Sequence, residues 1–201
     1  MGYSQAEKAQ SREKIVAAAA RQIREGGLDS LSIGDLMRSV NLTHGGFYGH
    51  FASRSALIAA ALERALEDGE TASMATSTAK GRRTLKSVAN SYLSPVHRDH
   101  AAEGCAVSAL AADVARADDE VRAIMQAKLT RFFEETAALL GDGDAARADA
   151  LKAWCLMTGA MSLARIFKGQ PTSDEILKTA RAAILEIEAT FPPEGQTQAP
   201  A

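Results

Sequence analysis

The sequence predicts an all-α protein of about nine helices. Residues that favour helices, chiefly Ala, Leu, Glu and Arg, recur along the 201 residues far more often than aromatic residues, which make up 5% of the chain. Apolar residues repeat at the i, i+3 and i+4 spacing of amphipathic helices, and Gly or Pro separates the repeating segments. We therefore expect three N-terminal helices, a long fourth helix, and a second domain that is also helical.

The first helix is predicted from a polar cap and a glycine stop. Ser11 is a candidate N-cap, because apolar residues at helical spacing follow it from Ile15 as far as Ile23. The pair Gly26-Gly27 ends the helix. Residues 1–10 are then expected to form a polar arm ahead of it.

Two short helices are predicted to follow. Ser32, with Asp35 three residues later, predicts an approximate capping box for the second helix. Asn41 tolerates a left-handed backbone and ends that helix, and Thr43 can cap the third helix almost immediately. Two short helices joined by a tight turn, after a longer helix, predict a helix-turn-helix domain.

The remaining helices are predicted from the same caps, breakers and apolar spacing. Their expected ranges are from Ser53 to about 79, from Leu85 to near Pro95, 105–117, from Asp118 or Asp119 to Leu140, 144–167, and from a Thr172 and Glu175 capping box to Pro192-Pro193. The helix from Ser53 is long enough to link two domains. We therefore assign residues 1–54 to the arm and helix-turn-helix, 55–192 to a C-terminal domain, and 193–201 to a disordered tail.

Charge and cysteine content narrow the class of protein. Residues 1–54 carry seven Lys or Arg against five Asp or Glu, whereas the remainder carries 16 against 20, so a mildly basic head precedes an acidic body. The two cysteines lie 50 residues apart without a C-x-x-C pair, so we expect no disulfide scaffold, no metal site and no cofactor. No apolar run approaches a membrane span, and the first residues are polar, which predicts a cytoplasmic protein.

The segment 42–51 is too rich in glycine for a helix selected only for stability. Gly45, Gly46 and Gly49 occupy three of five consecutive positions, and each costs about 1 kcal/mol relative to Ala inside a helix. Phe47 and Phe51 can anchor one side of the helix in the protein core. The other side is expected to carry Thr43, His44, Gly45, Tyr48 and His50. An anchored helix with small residues and a polar outer face suits the major groove of DNA.

Residues 11–66 resemble the DNA-binding domain of the TetR/AcrR family of transcriptional regulators. The resemblance rests on the order and spacing of Thr43, Phe47, Tyr48, His50, Phe51 and Ser53-Arg54. Asn41 stands where the family usually has Gly, and Arg54 stands where Lys is usual. The resemblance implies a homodimeric repressor that leaves a palindromic operator when its C-terminal domain binds a small effector.

The candidate DNA-binding residues lie in and just after the third helix. They are Thr43, His44, Gly45, Gly46, Tyr48, His50 and Arg54. Thr43, Tyr48, His50 and Arg54 are expected to contact phosphates, which positions the helix. His44 and Gly45 are the candidates for meeting base edges. Packing within the three-helix unit is the alternative role for Tyr48 and His50, and the expected role for Phe47 and Phe51.

The candidate effector-binding residues are mainly apolar, so a hydrophobic or aromatic effector is expected. They are Tyr92, Val96, Cys105, Phe132, Phe133, Trp154, Met157 and Met161. The last two helices are expected to form the dimer interface, through Leu156, Leu163, Phe167, Leu177, Ala180 and Ile184. Spacing alone does not separate pocket, interface and ordinary core on the helix 144–167.

Three other functions stay open at this stage. Cys105 follows Gly104 at a predicted helix start, so a redox-responsive regulator is one alternative. A helical small-molecule-binding protein or enzyme with an incidental helix-turn-helix is a second, although the chain lacks G-x-S-x-G, phosphate-loop and H-E-x-x-H motifs, and we therefore expect no enzyme. A regulator that recruits a protein instead of binding an effector is a third.

Overall fold

The computed structural model describes residues 4–78 and 83–191. Within these ranges every regular element is a helix and there is no strand, which confirms the all-α prediction. The α-helices there are α1 (Gln5–Gly26), α2 (Ile33–Ser39), α3 (Arg54–Thr78), α4 (Leu85–Tyr92), α5 (Pro95–Asp99), α6 (Ala106–Val114), α7 (Asp119–Leu140), α8 (Asp144–Ile166) and α9 (Pro171–Ala189). Short 3₁₀ helices lie at Leu28–Ser30, His44–Gly49 and Ala101–Glu103.

The chain folds into two compact units, each made of two segments. The first unit contains the residues up to Ala72 together with His100–Lys128. The second contains Ser73–Asp99 and the chain from Leu129 onward. Among the helices of the described residues, none is both long enough and apolar enough to cross a lipid bilayer.

The core of the first unit is formed chiefly by α1, α2, the 3₁₀ helix His44–Gly49 and α3. Each contributes fully buried apolar side chains at helical spacing, including Ile15, Ala19, Ile23, Leu36, Met37, Phe47, Leu57 and Leu62. Arg24 is also buried here, and it donates hydrogen bonds to the backbone oxygens of Ala65 and Ala102. These contacts fix the last turn of α1 against two other parts of the unit.

The first helix begins seven residues earlier than Ser11 predicted. Ser4 is the N-cap: its hydroxyl accepts a hydrogen bond from the Glu7 amide, and the Glu7 carboxylate accepts one from the Ser4 amide. Hydrogen bonds from the Ser4 amide, and then from its hydroxyl, lower the pKa of Glu7. Ser11 lies inside the helix, so the predicted polar arm is helical from Gln5. A full capping box at Ser4 outweighs a cap at Ser11, which has Lys14 at the position where a box needs Glu or Gln.

The local structure between α2 and α3 follows the predicted caps. The Ser32 hydroxyl accepts a hydrogen bond from the Asp35 amide at 3.4 Å. Asn41 adopts a left-handed conformation with φ of 59°, and the Thr43 hydroxyl accepts a hydrogen bond from the Gly46 amide at 3.3 Å. The third helix is a single 3₁₀ helix, not an α-helix, in keeping with the low helix propensity of its three glycines. Ser53 precedes α3 as predicted, and its hydroxyl accepts from the Ala56 amide.

The core of the second unit lies between α8, α9 and α4. Buried residues on α8 follow the i, i+3, i+4 and i+7 pattern of one helix face: Ala150, Ala153, Trp154, Met157, Ala160, Met161 and Ala164. Helix α9, which packs on both α8 and α4, contributes buried Leu177, Ala180 and Ile184, and α4 contributes buried Leu85, Val88 and Ala89. The predicted range of α8, 144–167, agrees with the observed helix to within one residue.

Two prolines begin helices in this unit. Pro171 occupies the first turn of α9 after Gln170, so the predicted capping box of Thr172 and Glu175 is wrong. A proline suits the first helical position because the missing N–H has no partner there in any helix. Pro95 likewise opens α5, a short helix that the sequence did not predict. Pro192-Pro193 and the predicted tail lie outside the described residues.

Candidate nucleic-acid interface

The 3₁₀ helix His44–Gly49, called here the 44–49 helix, stands on an aromatic anchor. Phe47 is fully buried, and its ring lies 5.7 Å from that of the buried Phe51 at an interplanar angle of 24°. The ring of Tyr48 meets Phe47 edge-on at 5.2 Å, yet 67% of Tyr48 remains exposed. The anchor therefore fixes the backbone of the 44–49 helix while leaving the Tyr48 ring free to contact a partner on its outer side.

The outer face of the 44–49 helix is open at four of the five positions expected there, and His50 is the exception. Thr43, His44, Gly45 and Tyr48 are all exposed. A Cβ atom added to Gly45 or to Gly49 would meet no other atom within 4 Å. The protein itself therefore has room for alanine at both positions. Since glycine lowers helix stability by about 1 kcal/mol relative to alanine, folding alone does not explain these two glycines.

His50 is half-buried beside this face. Its Nδ1 atom is buried and, within the described part of the chain, has no hydrogen-bond partner. Desolvation, and then the positive charges of Lys8 and Arg12, lower the pKa of His50. The imidazole therefore has a lowered pKa and a buried ring nitrogen that the described part of the protein does not satisfy.

Arg54 is used inside the protein. Its Nη2 group donates to the Leu28 carbonyl at 2.9 Å, and its Nε donates to the Leu31 carbonyl at 3.3 Å. These bonds tie the start of α3 to the turn between α1 and α2. A phosphate contact by Arg54 must therefore use N–H groups that the two carbonyls leave available.

Two cations that the sequence analysis did not select lie beside the same site. The Cζ atom of Arg12 is 5.0 Å from the centroid of the Phe51 ring, and Lys8 lies one turn earlier on α1. Recognition of the Ser4 capping box would have extended the first helix to include Lys8, one turn before Arg12, and so indicated both residues as candidates.

The structure brings four of the predicted effector-binding residues together in the second unit. The Trp154 ring is stacked on Phe132 at 4.9 Å, and it meets Tyr92 at 5.8 Å and Phe133 at 6.5 Å with the rings steeply inclined. The Trp154 indole N–H donates to the buried Thr136 hydroxyl at 2.8 Å. Thr136 was missed by the sequence analysis, although it lies one turn after Phe132 on α7.

The other four predicted effector residues divide three ways. Met157 and Met161 are fully buried on the same helix as Trp154. Val96 is 70% exposed, so it does not belong to a buried cluster. Cys105 belongs to the first compact unit, where it is half-buried at the N-cap of α6. Among the described residues, no group of three His, Cys, Asp or Glu side chains is arranged to hold a metal ion.

The predicted dimer residues divide between the surface and the core. Leu156 and Leu163 on α8 are exposed, and Phe167 is half-buried. Three residues on α9 are buried within the protomer, and this corrects their assignment to an interface: Leu177, Ala180 and Ile184. Ile166, which is 74% exposed and three residues after Leu163, was missed.

Comparisons with known proteins agree with the family resemblance of the N-terminal residues. Residues 15–61 match the family model described as bacterial regulatory proteins, tetR family. An uncharacterized HTH-type transcriptional regulator of Bacillus subtilis (strain 168), YvdT, is 44% identical over 54 residues. That match covers 27% of this chain and 28% of YvdT, so it spans little more than a quarter of the curated relative.

Solved structures share the whole fold at low sequence identity. A TetR-family transcriptional regulator from Cytophaga hutchinsonii superposes with a TM-score of 0.76 at 19% identity, over 96% of this chain and 100% of that one. A TetR transcriptional regulator from Chloroflexus aurantiacus J-10-FL gives a TM-score of 0.76 at 22% identity, over 90% and 98% of the two chains. The chain is thus similar to the tetR family of bacterial regulatory proteins over residues 15–61, and it shares its fold with these two solved structures.

Proposed function

We propose that this chain is a cytoplasmic transcriptional regulator that binds operator DNA as a homodimer and is released from it by a small, mainly apolar effector. The observation that carries the DNA-binding part is the open space at Gly45 and Gly49. Both glycines lie on a rigidly anchored helix whose exposed side carries Thr43, His44 and Tyr48. Small residues on such a face let the backbone approach the floor of a DNA groove.

The proposed contacts follow from the exposed groups. The Thr43 and Tyr48 hydroxyls donate to backbone phosphates, and His50 and Arg54 support them from the edge of the site. His44 and Gly45 meet base edges, His44 through a hydrogen bond to a purine and Gly45 through its backbone. Gly46 stays close to the Thr43 hydroxyl, which caps the helix.

The proposed dimer forms through the exposed apolar face of α8. Leu156, Leu163 and Ile166 recur at helical spacing on that face. A second copy of the chain would cover them and present two copies of the 44–49 helix to half-sites about 34 Å apart. One such module buries too little surface for useful specificity, whereas two half-sites supply it.

The proposed effector site is the aromatic cluster around Trp154. Tyr92, Phe132 and Phe133 surround the indole, and Thr136 supplies a polar group. Stacking surfaces of this kind favour a flat, apolar ligand. The effector acts by binding more tightly to the conformation that does not hold DNA, a preference that typically amounts to about 1–3 kcal/mol.

An electrophoretic shift on the DNA upstream of the chain's own coding sequence tests the proposal. We expect the wild-type protein to shift that fragment and not a shuffled duplex of the same length. Gly45→Gln should abolish the shift because its side chain fills the open space, yet it should leave thermal unfolding unchanged. Ala145→Gln, at the exposed start of α8, is the matched control and should bind normally.

A second variant tests the polar face. The double variant His44→Ala with Tyr48→Ala should lose the shift while remaining folded, because both side chains are exposed. If it and Gly45→Gln both retain full affinity, the 44–49 helix does not face DNA. A rise in melting temperature across a panel of aromatic compounds, lost in Trp154→Leu, tests the effector site.

A further inference from the structure

On α1, the stripe of residues that faces the protein core continues toward the N-terminus beyond the part that the protein buries. Ile15, Ala19 and Ile23 are fully buried and lie one above the other on α1. Lys8 and Arg12 continue the same stripe, at spacings of four and three residues, toward the start of the helix. Both are exposed. The stripe is therefore apolar where the protein covers it and cationic where the helix projects past that cover.

The projecting turns lie beside the 44–49 helix. The Arg12 guanidinium is 5.0 Å from the Phe51 ring, and Phe51 stacks on Phe47, the buried anchor of that helix. The charges of Lys8 and Arg12 are also close enough to His50 to lower the pKa of its imidazole. Two cationic side chains therefore border the exposed face that carries Tyr48.

Within the part of the chain that the structure describes, no acidic side chain neutralises Lys8 or Arg12. The Glu7 carboxylate is engaged by the Ser4 amide, and Glu13 pairs with Arg64. Over the described ranges, no carboxylate lies within ion-pair distance of Lys8 or Arg12. Other N-terminal arginines do have such partners, and these are Arg21 with Glu103, Arg24 with Asp68, and Arg38 with Asp35. The unpaired cations on α1 include the two that border the 44–49 helix.

We propose that Lys8 and Arg12 extend the DNA-binding surface onto α1 and hold backbone phosphates beside the stretch of groove that the 44–49 helix enters. This inference rests on the proposed function, because it needs DNA at the 44–49 helix. The two residues are about 6 Å apart along the helix axis, so they can hold separate phosphates. Phosphate contacts strengthen binding to every sequence alike and fix the register of the helix in the groove.

The salt dependence of DNA binding tests this inference. Fluorescence anisotropy would measure the affinity of the wild type, of Lys8→Gln with Arg12→Gln, and of Lys14→Gln across a salt series. The probes are the upstream fragment and a shuffled duplex. Lys14 is exposed on α1 but points away from the Lys8 stripe, so it is the matched control for a lost charge. Circular dichroism checks that all three proteins are folded.

We expect the double variant to bind both probes more weakly, by about twenty-five-fold per protomer near physiological salt, since each of the two lost phosphate contacts removes about five-fold. The slope of log affinity against log salt should fall by about one unit per lost contact. The ratio between the two probes should stay constant, and Lys14→Gln should keep the wild-type slope.

Each other outcome is decisive. If the wild type shifts the upstream fragment but the double variant and Lys14→Gln have the same salt slope, Lys8 and Arg12 do not hold phosphates and the proposed function stands. If the wild type binds neither probe, the proposed function fails and the inference fails with it. A changed ratio between the probes would assign the two residues to base recognition and would overturn the phosphate role.

Discussion

Replacing Arg24 by methionine should destabilise the first compact unit by about 3 kcal/mol. The Arg24 side chain is only 2% exposed. Its Nε donates to the Ala102 carbonyl at 2.5 Å, its Nη1 donates to the Ala65 carbonyl at 3.1 Å, and both Nη atoms lie 3.2 Å from the Asp68 carboxylate. One side chain thus joins α1, α3 and the 3₁₀ helix Ala101–Glu103.

The magnitude follows from what the substitution leaves behind. Methionine keeps most of the apolar stem but removes every donor, so the Ala102 carbonyl loses its charged partner. Breaking a buried ion pair by removing one member costs about 3–5 kcal/mol. The lower end applies here, because Asp68 is 33% exposed and keeps its ion pair with Arg64. Burial lowers the pKa of Arg24, and the charge of Asp68 opposes that effect.

Urea denaturation followed by circular dichroism at fixed protein concentration measures the loss. Arg64→Met is the matched control, because Arg64 pairs with the same carboxylate but is 31% exposed. A partly exposed pair contributes less than about 1 kcal/mol, so this variant should remain close to wild type. If Arg64→Met costs as much as Arg24→Met, burial is not what makes Arg24 important.

Three further predictions concern single positions. Phe47→Ala removes the fully buried anchor and should lower the free energy of unfolding by about 3–5 kcal/mol in urea denaturation. Asn41→Ala, at φ of 59°, should cost about 1 kcal/mol, whereas Asn41→Gly should not; equal losses would contradict the backbone explanation. Burial, and to a smaller extent Arg165, lowers the pKa of His97 from 6.5 although the Tyr92 carbonyl raises it. Stability should therefore fall as the pH drops through about 6.5, and His97→Gln should flatten that fall in denaturation curves.

The helix-turn-helix could be predicted well because its caps and its turn depend on residues only a few positions apart. Ser32, Asn41 and Thr43 act through bonds or dihedral angles that reach no further than three positions. The start of α1 shows the limit of this approach. Ser4 and Ser11 are both possible N-caps, and only Ser4 has a glutamate three residues later to complete the capping box.

Apolar periodicity shows that a helix face needs cover but does not say what covers it. Leu177, Ala180 and Ile184 on α9 have the spacing expected of an interface, yet α8 and α4 already bury them inside the protomer. On α8, Leu163 and Ile166 are left outside. Only the packed structure separates these two sets, because the separation depends on contacts between residues far apart in sequence.

The sequence also does not show which glycines the fold itself requires, whereas the structure shows which glycines have room for a Cβ atom. A Cβ atom at Gly69 on α3 would lie 3.3 Å from the Cα atom of Cys105, so the fold itself accounts for that glycine. A Cβ atom at Gly45 or Gly49 would meet nothing, and the same is true of Gly159 on α8. Gly45, Gly49 and Gly159 lie on the two faces where we propose partners, the DNA groove for the 44–49 helix and a second copy of the chain for α8. Gly45→Ala and Gly159→Ala should therefore each raise or preserve the stability of the protomer. Gly45→Ala should weaken DNA binding in an electrophoretic shift. Gly159→Ala should weaken dimer formation in analytical ultracentrifugation. If Gly45→Ala binds DNA and Gly159→Ala forms dimers as the wild type does, the open space at these glycines serves neither partner.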